Sequence, residues 1–108
     1  MTARIKFISS TSDVDRLFEE SAARPVAIFK HSASCGISAH VLEMVEQADT
    51  DLNIVVVQEA RDVSNVIAER TGYVHHSPQA FVIKDGEVVY HATHYAIDPA
   101  KMENALNQ

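Results

Sequence analysis

Two short, wholly apolar runs separated by a helical pattern constrain the fold of this chain more than any other feature of its sequence. Such runs are too short for helices and are typical of strands buried on both faces. Between them, apolar side chains recur at helical spacing over residues 37–48. Strands joined through a helix pair in parallel by a right-handed crossover, so the sequence predicts an α/β fold. The two runs are Val26-Ala27-Ile28-Phe29 and Ile54-Val55-Val56-Val57.

The flanking elements extend this alternation. An alternating stretch at residues 5–8 predicts a first strand, and the following apolar spacing predicts a helix that begins at the N-cap Ser12 and ends at about Ala23. A third helix is expected between Asp62, as its N-cap, and Gly72, which closes it.

The last third of the chain predicts a hairpin and a final helix. Asp85-Gly86 between two apolar runs is a strong hairpin signal, and Asp98-Pro99 combines an N-cap with proline at the first helical position. The order β-α-β-α-β-α-β-β-α predicts a mixed central sheet with helices on both faces. This order is typical of the thioredoxin fold, although other α/β arrangements fit it too.

Length and charge bound the possible partners. With 108 residues, the chain is expected to form one domain over residues 1–108. Nine Lys and Arg against 15 Asp and Glu give a net charge of -6, which predicts no binding to nucleic acid or to anionic membranes. No apolar stretch follows the first residues, so we expect no signal peptide, no membrane span and a cytoplasmic location.

Cys35 is the only cysteine, so a disulfide within the chain and a thiolate-rich metal cage are both excluded. It is expected at the first turn of the second helix. Helix N-termini stabilise negative charge, and cysteines placed there have pKa values of roughly 3.5 to 7.5 instead of about 8.5. We therefore expect Cys35 to be a nucleophile, although a lone cysteine can also be a small buried apolar residue.

Ser38 occupies the fourth position of a Cys-x-x-Ser motif with Gly36 and Ile37 between. In dithiol enzymes the fourth position holds the resolving cysteine, and a serine there cannot form a disulfide. A mixed disulfide on Cys35 must then be resolved by the thiol of another molecule. The Ser38 hydroxyl either donates a hydrogen bond to the thiolate or is a solvated serine of the first turn.

Ser77-Pro78 directly precedes a predicted strand, where a cis proline forms a tight turn. In the thioredoxin fold this turn faces the cysteine, so we expect a cis peptide here, the alternative being an ordinary loop proline. The six histidines do not predict a metal site, since neighbouring ones point apart and zinc needs three or four converging ligands. If His31 or His76 lies close to Cys35, it could favour the thiolate instead.

Several separated segments resemble the monothiol bacilliredoxin family in order and spacing. They are Phe29-Lys30-His31-Ser32-Ala33-Ser34-Cys35-Gly36-Ile37-Ser38, Val57-Gln58-Glu59-Ala60-Arg61-Asp62-Val63-Ser64-Asn65, Ser77-Pro78-Gln79-Ala80, Lys84-Asp85-Gly86 and Val89-Tyr90-His91-Ala92-Thr93-His94.

The resemblance implies a thioredoxin-like fold and thiol redox control with bacillithiol as co-substrate and no bound cofactor. Cys35 would attack the mixed disulfide of a protein with bacillithiol, or with a similar small thiol such as glutathione, and free the protein thiol. We expect Gly36, Ile37 and Ser38 to stabilise the thiolate, and Ser34, Ser77 and Pro78 to bind the substrate thiol. The partners are then a small thiol and S-thiolated client proteins.

Two positions depart from the family pattern: Ser34 stands for the usual threonine and Gly36 for the usual proline. Glycine loosens the first helical turn, which bears on reactivity and thiol preference. The resulting Cys-Gly-Ile-Ser also resembles monothiol glutaredoxins, which bind glutathione and iron-sulfur clusters, but His91-Ala92-Thr93-His94-Tyr95 does not match their later motif. The alternatives to a monothiol oxidoreductase are such a glutaredoxin relative and a non-catalytic interaction module.

Overall fold

A computed structural model describes residues 2–108, whose strands form one five-stranded sheet in the order β1-β3-β2-β4-β5. Strands β1, β3 and β2 run parallel, β4 is antiparallel to β2, and β5 is antiparallel to β4. The apolar runs predicted as buried strands form the centre of this sheet. The strands are β1 (Arg4–Phe7), β2 (Val26–His31), β3 (Asp51–Val56), β4 (Gln79–Lys84) and β5 (Glu87–Thr93).

Helices cover both faces of the sheet. Helices α1 and α3 pack on one face, where Val14 and Ile67 join a buried cluster with Ile28. Helices α2 and α4 pack on the other face, where Val41 and Met102 join a buried cluster with Phe29. None of the helices of residues 2–108 is long and apolar enough to cross a membrane. The helices are α1 (Thr11–Glu20), α2 (Gly36–Val45), α3 (Arg61–Thr71), the short 3-10 helix η1 (His94–Ala96) and α4 (Pro99–Leu106).

Two predicted helix starts are wrong. Ser10, and not Ser12, is the N-cap of α1, and its side chain accepts a hydrogen bond from the Asp13 N–H. Asp62 is the second residue of α3 and not its N-cap. The N-cap is Ala60, and the helix begins at Arg61. Both errors arise where several residues with capping side chains or good helix propensity follow one another, so spacing alone does not select the first one.

Other local signals are confirmed. Asp85 and Gly86 have φ values of 52° and 76°, the left-handed pair that a tight β4–β5 hairpin requires. Gly72 closes α3 at φ 78°. The end predicted for α1 at about Ala23 is wrong, because the helix ends at Glu20 with Ser21 as its C-cap. The Asp98 side chain caps α4 by accepting from two backbone N–H groups, as predicted.

Candidate active site at the carboxyl end of β2

The carboxyl end of β2 brings the two predicted halves of the site to one edge of the sheet. The Cys35 loop leaves β2 after His31. On the other side Lys30 pairs with Gln79 in antiparallel register, so Pro78 occupies the next position, opposite His31. The Ser77-Pro78 peptide is cis, which confirms the sequence prediction. The His94 N–H, at the start of η1, donates to the Pro78 carbonyl at 3.0 Å.

Cys35 is the N-cap residue of α2 and is partly exposed. Its backbone is extended (φ −112°, ψ 119°), its carbonyl accepts from the Ala39 N–H at 3.1 Å, and its N–H donates to the Ser32 carbonyl at 3.3 Å. Cys35 therefore lies where the unpaired N–H groups of a helix begin, one position before the expected first turn, and its side chain makes no capping hydrogen bond to them. A negative charge at this position is stabilised by those groups.

Ser38 is fully buried, so it is not a solvated serine of the first turn. Its Oγ accepts from the Ser32 N–H at 3.0 Å and lies 2.8 Å from His31 Nδ1. Among residues 2–108, the hydrogen bonds of Ser38 Oγ go to these two groups and not to the Cys35 sulfur. In this structure the serine ties the loop before the cysteine to the end of β2.

His31 is less suited to favour a thiolate by charge than the sequence suggested. Burial lowers its pKa from 6.5, and the nearby Glu46 carboxylate only partly opposes this effect. The imidazole is therefore neutral at pH 7, and its role is to hydrogen-bond Ser38. The ring centroid of His76 lies 5.8 Å from that of His94.

Gln58, which sequence reasoning did not single out, holds the same loop from β3. Its Nε2 donates to Ser32 Oγ at 2.8 Å and to Ser34 Oγ at 3.1 Å, while its Oε1 accepts from the Ala33 N–H at 3.1 Å. The predicted thiol-binding hydroxyl of Ser34 is thus already oriented by an amide. A polar residue just after a buried parallel strand, at the same sheet edge as Cys35, is the signal that could have identified Gln58.

The other predicted site residues lie in the first turn of α2 and in the cis turn before β4. Gly36 and Ile37 begin α2, and Ile37 is 37% exposed. A side-chain carbon added at Gly36 would meet nothing within 4 Å, so space does not require glycine there. Ser77 is half-buried and Pro78 is buried. Within residues 2–108, His, Cys, Asp and Glu form no group of three or more that could hold a metal ion.

On the opposite face of the sheet, Lys30 is fully buried beside the site, which sequence reasoning also missed. Its Nζ donates to the Ser64 carbonyl of α3 at 2.9 Å and lies 3.4 Å from His75 Nδ1. None of the ion pairs found in residues 2–108 includes it. Burial without a carboxylate partner lowers the pKa of Lys30 to about 8.

Comparison with known proteins identifies the family. Residues 6–102 match the family model described as monothiol bacilliredoxin BrxC. The chain belongs to the monothiol bacilliredoxin family. The resemblance noted from the sequence is therefore confirmed, and membership of this bacilliredoxin family supports a thiol redox role.

Solved structures confirm the thioredoxin-like fold of this bacilliredoxin. One, described provisionally as an oxidoreductase with a thioredoxin fold, is 32% identical, covers 94% of this chain and 92% of its own, and superposes with a TM-score of 0.85. Thioredoxins of Malassezia sympodialis (Mala s 13) and Schistosoma mansoni are each 17% identical with a TM-score of 0.72. They cover 97% and 96% of this chain, and 90% and 94% of their own. At that identity the two thioredoxins are evidence for the fold alone.

Proposed function

We propose that this bacilliredoxin is a monothiol oxidoreductase that removes a small thiol, bacillithiol or a similar molecule, from protein mixed disulfides. The Cys35 thiolate attacks the sulfur of the small thiol, the protein–small thiol disulfide breaks, and the protein leaves as a thiolate that takes up a proton. Cys35 is then disulfide-bonded to the small thiol. No net oxidation occurs in this exchange, because one disulfide replaces another.

The second step needs a thiol from outside the chain. A free small thiol, as its thiolate, attacks the small-thiol sulfur of the adduct, forms the symmetrical small disulfide and releases Cys35 as a thiolate. The observation that carries this proposal is the pairing of a partly exposed N-cap cysteine with a buried serine at the resolving position. Ser38 has no thiol, and Cys35 is the only cysteine of the chain.

The charge around the site supports an anionic small thiol. Three of the segments that reach this edge of the sheet, residues 30–42, 73–84 and 88–97, contain neither Asp nor Glu, whereas the segment after β3 carries Glu59 next to Gln58. These three segments carry all six histidines of the chain, including the exposed pair His76 and His94. A carboxylate-bearing thiol such as bacillithiol or glutathione therefore approaches this edge without facing a nearby acidic side chain in these segments.

Intact-mass analysis tests the proposal. The protein is mixed separately with bacillithiol disulfide and glutathione disulfide, and with a protein carrying a bacillithiol mixed disulfide. We expect one small-thiol adduct per wild-type chain, loss of the adduct when free small thiol is added, and no adduct on the nearly isosteric variant Cys35→Ser. The relative rates of the two disulfides identify the preferred thiol.

Different results would favour the alternatives. A wild-type chain that gains no adduct and leaves the client thiolated contradicts the oxidoreductase proposal. Visible absorbance after anaerobic iron-sulfur reconstitution, lost in Cys35→Ser, would point to the glutaredoxin-like function. An unchanged list of bound partners in Cys35→Ser, together with an inert wild-type thiol, would point to an interaction module.

A further inference from the structure

The buried amine of Lys30 contacts a segment whose first residue, Tyr73, stacks on His91 of β5 with ring centroids 3.8 Å apart. Residues 73–76, which connect α3 to the Ser77-Pro78 turn, are exposed. One of them is His75, whose Nδ1 lies 3.4 Å from Lys30 Nζ and 3.2 Å from Ser64 Oγ. Lys30 thus joins the end of β2, the first half of α3 and this connecting segment at one point.

Gln79 attaches the same segment from the neighbouring strand. It is the register partner of Lys30, and it too is fully buried. Its Nε2 donates to the Val74 carbonyl at 3.0 Å, and its Oε1 accepts from the His76 N–H at 3.3 Å. Side chains at paired positions of antiparallel strands lie on the same face. The two side chains therefore hold three consecutive residues, 74–76, immediately before the cis turn.

The hydrogen-bond geometry explains how an amine can be buried there. Lys30 Nζ has two hydrogen-bond acceptors, the Ser64 carbonyl and His75 Nδ1, and both are uncharged groups. Burial and the positive charges of Lys30, His76 and Arg61 lower the pKa of His75, which keeps its imidazole neutral and able to accept.

A buried lysine without a carboxylate partner is costly, and an apolar side chain of the same length would fill this position with less desolvation. We propose that Lys30, acting with Gln79, is a positioning residue that fixes the Ser77-Pro78 turn against the sheet for substrate binding. Lys30 lies on the face opposite α2, so it acts on the turn and not on the sulfur. This inference rests on the proposed thiol-exchange function of Cys35.

The test uses Lys30→Met, which keeps the length of the side chain and removes its N–H donors. Hydrogen exchange followed by mass spectrometry reports on residues 73–77. The rate of Cys35 mixed-disulfide formation is measured with a peptide disulfide, which needs the turn, and with hydroxyethyl disulfide, which is small and neutral. The ratio of the two rates cancels changes in the thiolate fraction, so it reports on substrate positioning alone.

We expect exchange in residues 73–77 to be about tenfold faster in Lys30→Met and the ratio of rates to fall about threefold. Two variants of the exposed His75 give a matched control. His75→Asn places an acceptor near the position of Nδ1 and should behave as the wild type, whereas His75→Gln places it near Nε2 and should reproduce Lys30→Met. These variants also keep the test valid if Lys30→Met does not fold.

Failure of this inference differs from failure of the proposed function. If the wild type reacts with both disulfides but Lys30→Met and His75→Gln show unchanged exchange and an unchanged ratio, the positioning role is overturned and the oxidoreductase proposal stands. If the wild type reacts with neither disulfide, the proposed function fails and the inference fails with it. A fall in the ratio that His75→Asn does not show supports the positioning role.

Discussion

The two faces of the sheet hold the end of β2 in chemically different ways. On the α2 face, His31, Ser38 and Ser32 join an imidazole, a hydroxyl and a backbone N–H, and Gln58 adds an amide. On the α3 face, Lys30 places an amine against a carbonyl and an imidazole. Two consecutive residues of one strand thus fix the cysteine loop from one side and the cis turn from the other.

The difference between the faces is a difference in charge. Every group that fixes the cysteine loop is neutral at pH 7, since burial lowers the pKa of His31. The group that fixes the turn is an amine with a pKa of about 8. Changes of pH in the alkaline range therefore act on the turn through Lys30 and leave the hydrogen bonds of the cysteine loop intact.

Replacing Lys30 with methionine should break this difference and change the pH dependence of stability most. The pKa of Lys30 in the folded chain, about 8, lies below the usual lysine pKa of 10.5. Below pH 8 the amine is protonated in both states; between about 8 and 10.5, unfolding takes up a proton, so raising the pH stabilises the folded wild type. Relative to Lys30→Met, the free energy of unfolding of the wild type should rise by about 2 to 3 kcal/mol over this range.

Urea denaturation of both proteins between pH 7 and pH 10 measures this effect. Other groups that titrate in the range are common to both proteins, so the difference between the two curves isolates Lys30. Parallel curves would mean that Lys30 has the same pKa in the folded and unfolded chain, and that its burial carries no electrostatic cost.

Local signals of the sequence predicted most of the fold and the position of the nucleophile. A hairpin at Asp85-Gly86 needs two left-handed residues, and a strand that follows Pro78 favours a tight cis turn; both depend on a few adjacent residues. The placement of Cys35 at the start of α2 likewise follows from an apolar run, a short loop and a helical pattern.

The supporting residues could not be predicted because they depend on which strands become neighbours. Lys30 follows an apolar run and looks like the exposed end of a strand, yet pairing with Gln79 and the packing of α3 bury it completely. Gln58 contacts residues about 25 positions earlier, through a parallel pairing of β2 and β3 that no local pattern specifies. The contact of Ser38 with His31 depends on the same packing. From the sequence, only the thiolate or solvent was therefore expected as a partner of the Ser38 hydroxyl.

Removing the Ser38 hydroxyl should have the next largest effect and would break the network on the α2 face. Ser38→Ala leaves the Ser32 N–H and His31 Nδ1 without their buried partner, and an unsatisfied buried group costs about 1 to 3 kcal/mol. We expect the free energy of unfolding to fall by about 2 kcal/mol, measured by urea denaturation at pH 7.

Ser64→Ala on the α3 face is the matched control for Ser38→Ala. Ser64 is also a buried serine near the start of a helix, but Lys30 uses its backbone carbonyl, which the substitution keeps. The expected loss is below about 1 kcal/mol, since His75 retains Lys30 as a donor. Equal losses in the two variants would show that the hydroxyl of Ser38 has no special structural role.

Gln58→Ala should have the smallest effect on stability and sharpen the contrast between holding a loop and supporting a core. Gln58 is exposed, so losing its hydrogen bonds to Ser32, Ser34 and Ala33 should cost less than about 1 kcal/mol. The loop before Cys35 would nevertheless lose the hydrogen bonds that Gln58 makes to it from the segment after β3. Exchange of the loop amides should become faster while the exchange of residues 73–77 stays as in the wild type, because those residues are fixed from the other face by Lys30 and Gln79. Faster exchange in both regions would mean that the two faces are coupled, and that the two halves of the site are not held independently.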